Sequence, residues 1–409
     1  MNDAINNYRQ KCQDFATKPI EPFERLILSG QPIRQVILCG NSKELFNKRL
    51  TSMDVYGLCE YLQGNEYLEV IDFSYNFLDD LSTKAIAALL RTAPRLHTIR
   101  LVGNNVGAVG ARVLADILSI PGGASLRELD LSGNPLGDEG GLALADAIRR
   151  NTSLAALRIP DTRQGMRGIV GLSTALSEQL VGGEVNEGFS EYDNVYERRG
   201  LVLLDLGDVM IDEAQDTTVE KLSMVLARHR GLRHLGLSKH KMSDSQFKIL
   251  TENGFGRLGM LTRLDLRGNR ISPFSGATLE FLLTSACPKL AYLDISSNKL
   301  GNDGAAGLAR GAASSRSLRI LDVRRNIIGD AGMIIMAEAL TVCQTLSTLL
   351  IWGNKFGPTA AAACLSALDD PNVRARGAVI DMKPYIVDGV VHMAEVDTVI
   401  PQLEPLWYN

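Results

Sequence analysis

The stretch 126–148, LRELDLSGNPLGDEGGLALADAI, constrains this chain more than any other. Leu126, Leu129 and Leu131 stand at the spacing LxxLxL, and Asn134 follows three residues later. A turn with Gly137 and Gly140 comes next, then Leu142, Leu144, Ala145 and Ile148 at helical spacing. The pattern recurs down the chain. Its first Leu or Ile falls at Ile33, Leu68, Leu96, Leu126, Leu154, Leu201, Leu232, Leu261, Leu290, Leu318 and Leu346. The intervals are 35, 28, 30, 28, 47, 31, 29, 29, 28 and 28 residues. A period of this size means a solenoid, in which one unit cannot bury its apolar face alone. The length of 409 residues would otherwise suggest two or three domains; the repeat overrides that expectation.

Leu129 and Leu131 are two apart, so on a strand they point the same way, while Glu128, Asp130 and Ser132 point the other way. After the turn the apolar spacing becomes helical. Each unit is therefore a strand, a turn and a returning helix. The expected fold class is an α/β solenoid of about eleven repeats, with a parallel sheet inside and helices outside. Strands stack about 4.8 Å apart but helices need roughly 10 Å, which bends the stack into a horseshoe by up to about 30° per repeat. The Asn has a separate task. The chain turns inward after the strand and buries backbone groups that need partners, and an Asn amide both donates and accepts. The ladder position holds Asn41, Asn76, Asn104, Asn134, Thr162, Val209, His240, Asn269, Asn298, Asn326 and Asn354.

Residues 1–32 are expected to cap the N-terminal end, residues 33–371 to form the solenoid with an insertion at 181–200, and residues 372–409 to form a C-terminal β-hairpin cap and tail. The three non-Asn ladder residues flank the 47-residue interval. The insertion is Gly- and Glu-rich with Phe189, Tyr192 and Tyr196, and reads as a tolerated surface loop or as a partner-binding loop that orders on contact. Asp388-Gly389 between β-rich runs signals a hairpin. Trp407 and Tyr408 end the tail, as cap packing or as a docking peptide.

The net charge of −4, from 43 basic and 47 acidic residues, gives no global argument for nucleic acid or an anionic membrane. No apolar run reaches membrane-spanning length, and the polar N-terminus does not read as a signal peptide. The six scattered cysteines, with no CxxC, read as reduced thiols of an intracellular protein. Phosphate-loop, zinc-protease and nucleophile-elbow motifs are absent, and the five histidines lack metal-ligand spacing. The expectation is a non-enzymatic protein with no cofactor, no metal and no small-molecule substrate. Asp72, Asp130, Asp205, Asp265, Asp294 and Asp322 share one register, which reads as a structural row rather than as acid–base machinery.

Two features stand out as partner-binding candidates. The first is the acid-free run 228–241, RHRGLRHLGLSKHK, with Arg228, Arg230, Arg233, His234, Lys239 and Lys241. It reads either as a solvated face or as an anion-docking patch. The second is a set on the expected inner face: Arg263, Arg267, Tyr292, Arg319, Arg324, Arg325 and Trp352. Arg and aromatic residues on an exposed sheet are the usual material of binding hot spots. In strand register Leu350 and Trp352 are both expected to point out of the core.

The unit LxxLxLxxNxLGxxGxxxLAxAL resembles the ribonuclease-inhibitor-like subclass of leucine-rich repeats over about residues 33–368. That resemblance implies the horseshoe fold and binding of other proteins. The segment 381–389, DMKPYIVDG, followed by Ala394-Glu395-Val396, is similar to the C-terminal cap of a member of that family found in ciliated organisms. It implies a structural scaffold of the ciliary or flagellar axoneme, in the cytoplasm and cytoskeleton, whose partners are axonemal complex subunits. The alternatives are an activating protein for a small GTPase and a nuclear or nucleolar adaptor.

Overall fold

The computed structural model describes residues 2–120, 125–179, 200–210, 216–229 and 231–396. The insertion 181–200 apart from its last residue, Arg230, and the tail residues Trp407 and Tyr408 lie outside them. The chain forms two compact units, 1–210 and 211–409.

The first unit carries β1 (Gln35–Ile37), β2 (Val70–Asp72), β3 (Thr98–Arg100), β4 (Glu128–Asp130), β5 (Ala156–Arg158) and β6 (Leu203–Asp205). The second carries β7 (His234–Gly236), β8 (Arg263–Asp265), β9 (Tyr292–Asp294), β10 (Ile320–Asp322), β11 (Thr348–Leu350) and β12 (Val379–Ile380). Within each unit successive strands pair in parallel with no slip between repeats. A strand of three residues has one inward side chain, and that residue decides the register. Val36, Ile71, Ile99, Leu129, Leu157 and Leu204 fill the first core, and Leu235, Leu264, Leu293, Leu321 and Leu349 the second. A returning helix lies behind the strands of each repeat, so both units are α/β solenoid stacks of the expected class.

From Asn76 on, each Asn at the ladder position makes the same set of bonds. In Asn104, Nδ2 donates to Phe73 O of the preceding repeat (3.0 Å) and to Leu101 O of its own (2.9 Å), while Oδ1 accepts from Asn76 N and Leu78 N. Asn134, Asn269, Asn298, Asn326 and Asn354 repeat the scheme. Thr162, with one hydroxyl, donates only to Ile159 O of its own turn (2.7 Å) and accepts from Gln164. Asn41 corrects the sequence reading: it is exposed, because no earlier strand offers it a carbonyl.

A second ladder runs through the helix starts. The side chain of Asp80 accepts from Gly107 N and Gly110 N of the next repeat at 2.6 and 2.9 Å. Asp138 does the same for Gly165 and Gly168, Asn302 for Gly329 and Gly332, and Asp330 for Gly357 and Ala360. One carboxylate or amide thus satisfies two of the four orphan donors of the following helix.

The 29-residue units have their own signature. π-helical turns occur at Leu250–Phe255 and Leu282–Ala286, one in each of the two consecutive intervals of 29 residues. The extra residue is absorbed as one wide helical turn, so neither the strand nor the Asn turn shifts.

At the N-terminal end, Tyr8, Phe23 and Tyr61 pack edge to face beneath the helices Asn2–Asp14 and Glu21–Leu28, with ring centroids 4.8–5.6 Å apart. At the other end β12 extends the parallel sheet, and Asp381 accepts from Ile351 N (2.7 Å) and Trp352 N (3.3 Å). The hairpin of β13 (Met382–Val387) and β14 (Val390–Glu395) packs on the helix Pro358–Asp369.

Candidate interaction surface

The sheet face turned away from the helices differs between the units. In the first unit the third strand residues run Asp72, Arg100, Asp130, Arg158 and Asp205, alternating in sign. Glu128 bridges Arg100 (3.2 Å) and Arg158 (2.9 Å), so much of this charge is satisfied internally.

In the second unit the same row reads Gly236, Asp265, Asp294, Asp322 and Leu350. Each Asp in both units caps its own turn by accepting the backbone N–H two residues on, as Asp294 does from Ser296 at 2.9 Å. Three carboxylates nonetheless stack side by side. Burial, and then the charge of Asp322, raise the Asp294 carboxyl above its ordinary range. Arg324 answers them with a two-pronged contact to the fully buried Asp322, at 2.5–3.0 Å.

That contact corrects part of the expected binding set. Arg324 is engaged with its own strand, and its side chain is only 25% exposed. Tyr292 is buried on its strand between Arg263 and Ile320, and burial raises its phenol well above the usual range. Leu350, expected to face outward free of the core, is also buried. Tyr292 has Arg263 and Ile320 beside it on the flanking strands, a neighbourhood that a single strand's pattern does not convey.

What stays accessible is a turn edge. The residue before the ladder position adopts positive φ in repeat after repeat, at Tyr75, Asp161, Asp208, Lys239, Ser297 and Arg325 where it is not glycine. At Arg325 (φ +53°) the guanidinium lies 4.6 Å from the centre of the Trp352 ring. Gly353 makes this possible: a Cβ there would come within 2.8 Å of Arg325 Cγ. Gly268 lies under Lys239 in the same way, at 2.9 Å. Arg267, with a 51% exposed side chain, stands 3.8 Å from Asp265, and Arg319 is exposed. His234 and Arg263, the first residues of β7 and β8, are half-buried, as is Arg233 just before β7, and Lys239 is exposed. The structure therefore brings Arg325 and Trp352 together and leaves Arg267, Arg319 and Lys239 accessible along the same unit.

The Leucine Rich repeat family model matches residues 124–145, 286–309 and 314–337. The fold is that of a leucine-rich-repeat solenoid. The chain is 26% identical over 343 residues to the NACHT, LRR and PYD domains-containing protein 5 of Bos taurus, covering 76% of this chain and 29% of that protein. To the ribonuclease inhibitor of Sus scrofa it is 26% identical over 320 residues, 69% of this chain and 64% of the inhibitor. The leucine-rich repeat-containing protein 34 of Rattus norvegicus is 26% identical over 136 residues, 26% of this chain and 32% of that one. Among solved structures, an internalin (inlF) from Listeria monocytogenes superposes with a TM-score of 0.39 at 16% identity, covering 82% of this chain and 86% of its own. The chain thus spans less than two thirds of these first two relatives.

Proposed function

We propose that the chain is a protein-interaction scaffold that works in the ciliary or flagellar axoneme and docks a partner subunit on the turn edge of its second unit. The observation that carries the binding reading is the Arg325–Trp352 pair. An indole and a guanidinium 4.6 Å apart stand together at a turn whose left-handed backbone every neighbouring repeat shares, and the turn geometry itself calls for neither side chain. Trp and Arg dominate binding hot spots because a partner that desolvates them gains area and charge-assisted contacts together. Leucine-rich-repeat proteins bind other proteins; the axonemal setting rests on the likeness to leucine-rich repeat-containing protein 34, which covers a quarter of the chain.

The test is fractionation of detergent-extracted flagella, with the full chain carrying Arg325→Glu and Trp352→Ala beside the unaltered protein. Retention of the unaltered protein and release of the folded double variant is the expected result. A soluble unaltered protein removes the axonemal setting. Retention of both moves the docking surface elsewhere.

A further inference from the structure

The first unit carries an aromatic surface of its own. The opening interval is 35 residues against a 28-residue unit, and the surplus forms the turn 41–49, NSKELFNKR. Leu45 and Leu50 are buried and anchor this turn. Backbone bonds from Leu45 N, Phe46 N and Lys48 N to carbonyls inside it fix its path. Phe46, held between those anchors, is nevertheless 61% exposed. Phe77, one residue past the ladder Asn of the next repeat, is 63% exposed. Its N–H donates to Leu50 O at 2.9 Å, which joins the two turns. Arg49 stands at both rings, 5.9 Å from the Phe46 centroid and 5.3 Å from that of Phe77.

Folding gives no reason for this arrangement. The position of Phe77 is polar in most other repeats, held by Ser42, Asn105, Arg163, Lys241, Arg270, Lys299 and Lys355, against Pro135 and the exposed Met210 and Ile327, and an aromatic ring stands there in no other repeat. Single exposed apolar residues are ordinary, but two phenyl rings sharing one guanidinium are a patch. The surrounding charge is one-sided. Lys43 and Lys48 are exposed, while Glu44 of the same turn is taken by Arg25 at 2.7 Å. The nearby carboxylates Asp54 and Asp79 are occupied as helix caps, accepting from Thr51 N and Leu81 N. Among the described residues no ion pair joins Lys43, Lys48 or Arg49 to a carboxylate.

We infer that Phe46, Arg49 and Phe77 form a docking site for an acidic peptide segment of a partner protein, one carrying an aromatic or long aliphatic side chain beside its carboxylates. A carboxylate meets Arg49 in a charge-assisted hydrogen bond, the apolar side chain lies against the two rings, and Lys43 and Lys48 hold the flanking acids. The chemistry excludes a basic partner and requires an apolar residue, which distinguishes it from a simple anion patch. This surface belongs to the first unit and stands whether or not the second unit binds axonemal proteins.

The test uses the full chain and an array of short peptides, each with a central Phe, Trp or Leu flanked by Asp and Glu, beside matched peptides with Asn and Gln in place of the acids. Arg49→Glu and Phe77→Asn are the variants; Asn is the residue the next repeat uses at that position, so the turn is preserved. The acidic set should bind the unaltered chain, and each variant should bind about tenfold more weakly or worse, with an unchanged thermal melt. Oligouridylate serves as the nucleic-acid competitor and should not displace the peptides. Equal binding of the acidic and amide sets, no binding of either, undiminished binding by the variants, or displacement by oligouridylate would each overturn the proposal.

Discussion

Two arginines of the same unit and the same turn register, Arg267 and Arg324, are alike in sequence and unlike in the fold. Arg267 is half exposed and 3.8 Å from Asp265, so Arg267→Glu should change stability by no more than about 1 kcal/mol. Arg324 compensates a fully buried Asp322, and its loss leaves that charge unpaired. Arg324→Glu should therefore cost about 3 kcal/mol or more, read as a drop in the denaturant midpoint. Equal midpoints for the two variants would mean that the buried pair contributes nothing. Asp294 offers the opposite case. Its turn-capping oxygen survives in Asp294→Asn, while the repulsion from Asp322 does not. Its carboxyl is raised in the folded state, so wild-type stability is fullest below the unfolded carboxyl value near pH 4 and falls as the group ionises. The Asn variant should match wild type near pH 4 and melt higher at pH 7; a lower melt at pH 7 would refute the account.

The repeats at 232–289 show how an element absorbs a length change. Each of these 29-residue units hides its surplus in a π turn on the helix, away from the sheet. Deleting the exposed Ser285 from the turn Leu282–Ala286 should restore a 28-residue unit with an ordinary helix. We expect a loss below about 1.5 kcal/mol. Deleting the exposed Glu338 from the regular helix Asp330–Val342 is the control. There the deletion rotates the following buried residues by about 100°, and the expected loss is about 3 kcal/mol or more. Matching losses in chemical denaturation would show that the π turns are not stored insertions.

On the scale of the molecule, a near-balanced charge leaves pH dependence to a few buried groups. His229 is 2% exposed and its Nδ1 accepts from Leu232 N at 3.1 Å; burial lowers its pKa to about 4. The unfolded chain takes up this proton below about pH 6.5, whereas the fold resists it until about pH 4. Stability from this group is thus complete above pH 6.5 and declines as pH falls toward 4, by up to about 3 kcal/mol. Asn65 and Asn151 make the same turn cap two and three residues ahead, so His229→Asn keeps the bond. The variant should match wild type at pH 7.5 and melt higher at pH 4.5; parallel melting curves across that range would exclude His229 as an acid-sensitive group.

The repeat period, the parallel α/β class and most of the Asn ladder were legible in the sequence, because each is a short-range rule restated every 28 or 29 residues. The Asp row was legible for the same reason: its bonds reach only two residues along. The failures all involve neighbours across repeats. Asn41 has the ladder residue without the preceding carbonyl. Tyr292 and Leu350 have outward positions on their strands, yet both are buried in the folded chain. The aromatic patch of the first unit was missed although its signals, a 35-residue interval and a Phe at a usually polar turn position, are in the sequence. Only the folded structure brings Phe46 and Phe77, 31 positions apart, to one guanidinium. Periodicity specifies what one repeat needs for itself; exposure and charge pairing depend on which side chain the next repeat places about 5 Å away.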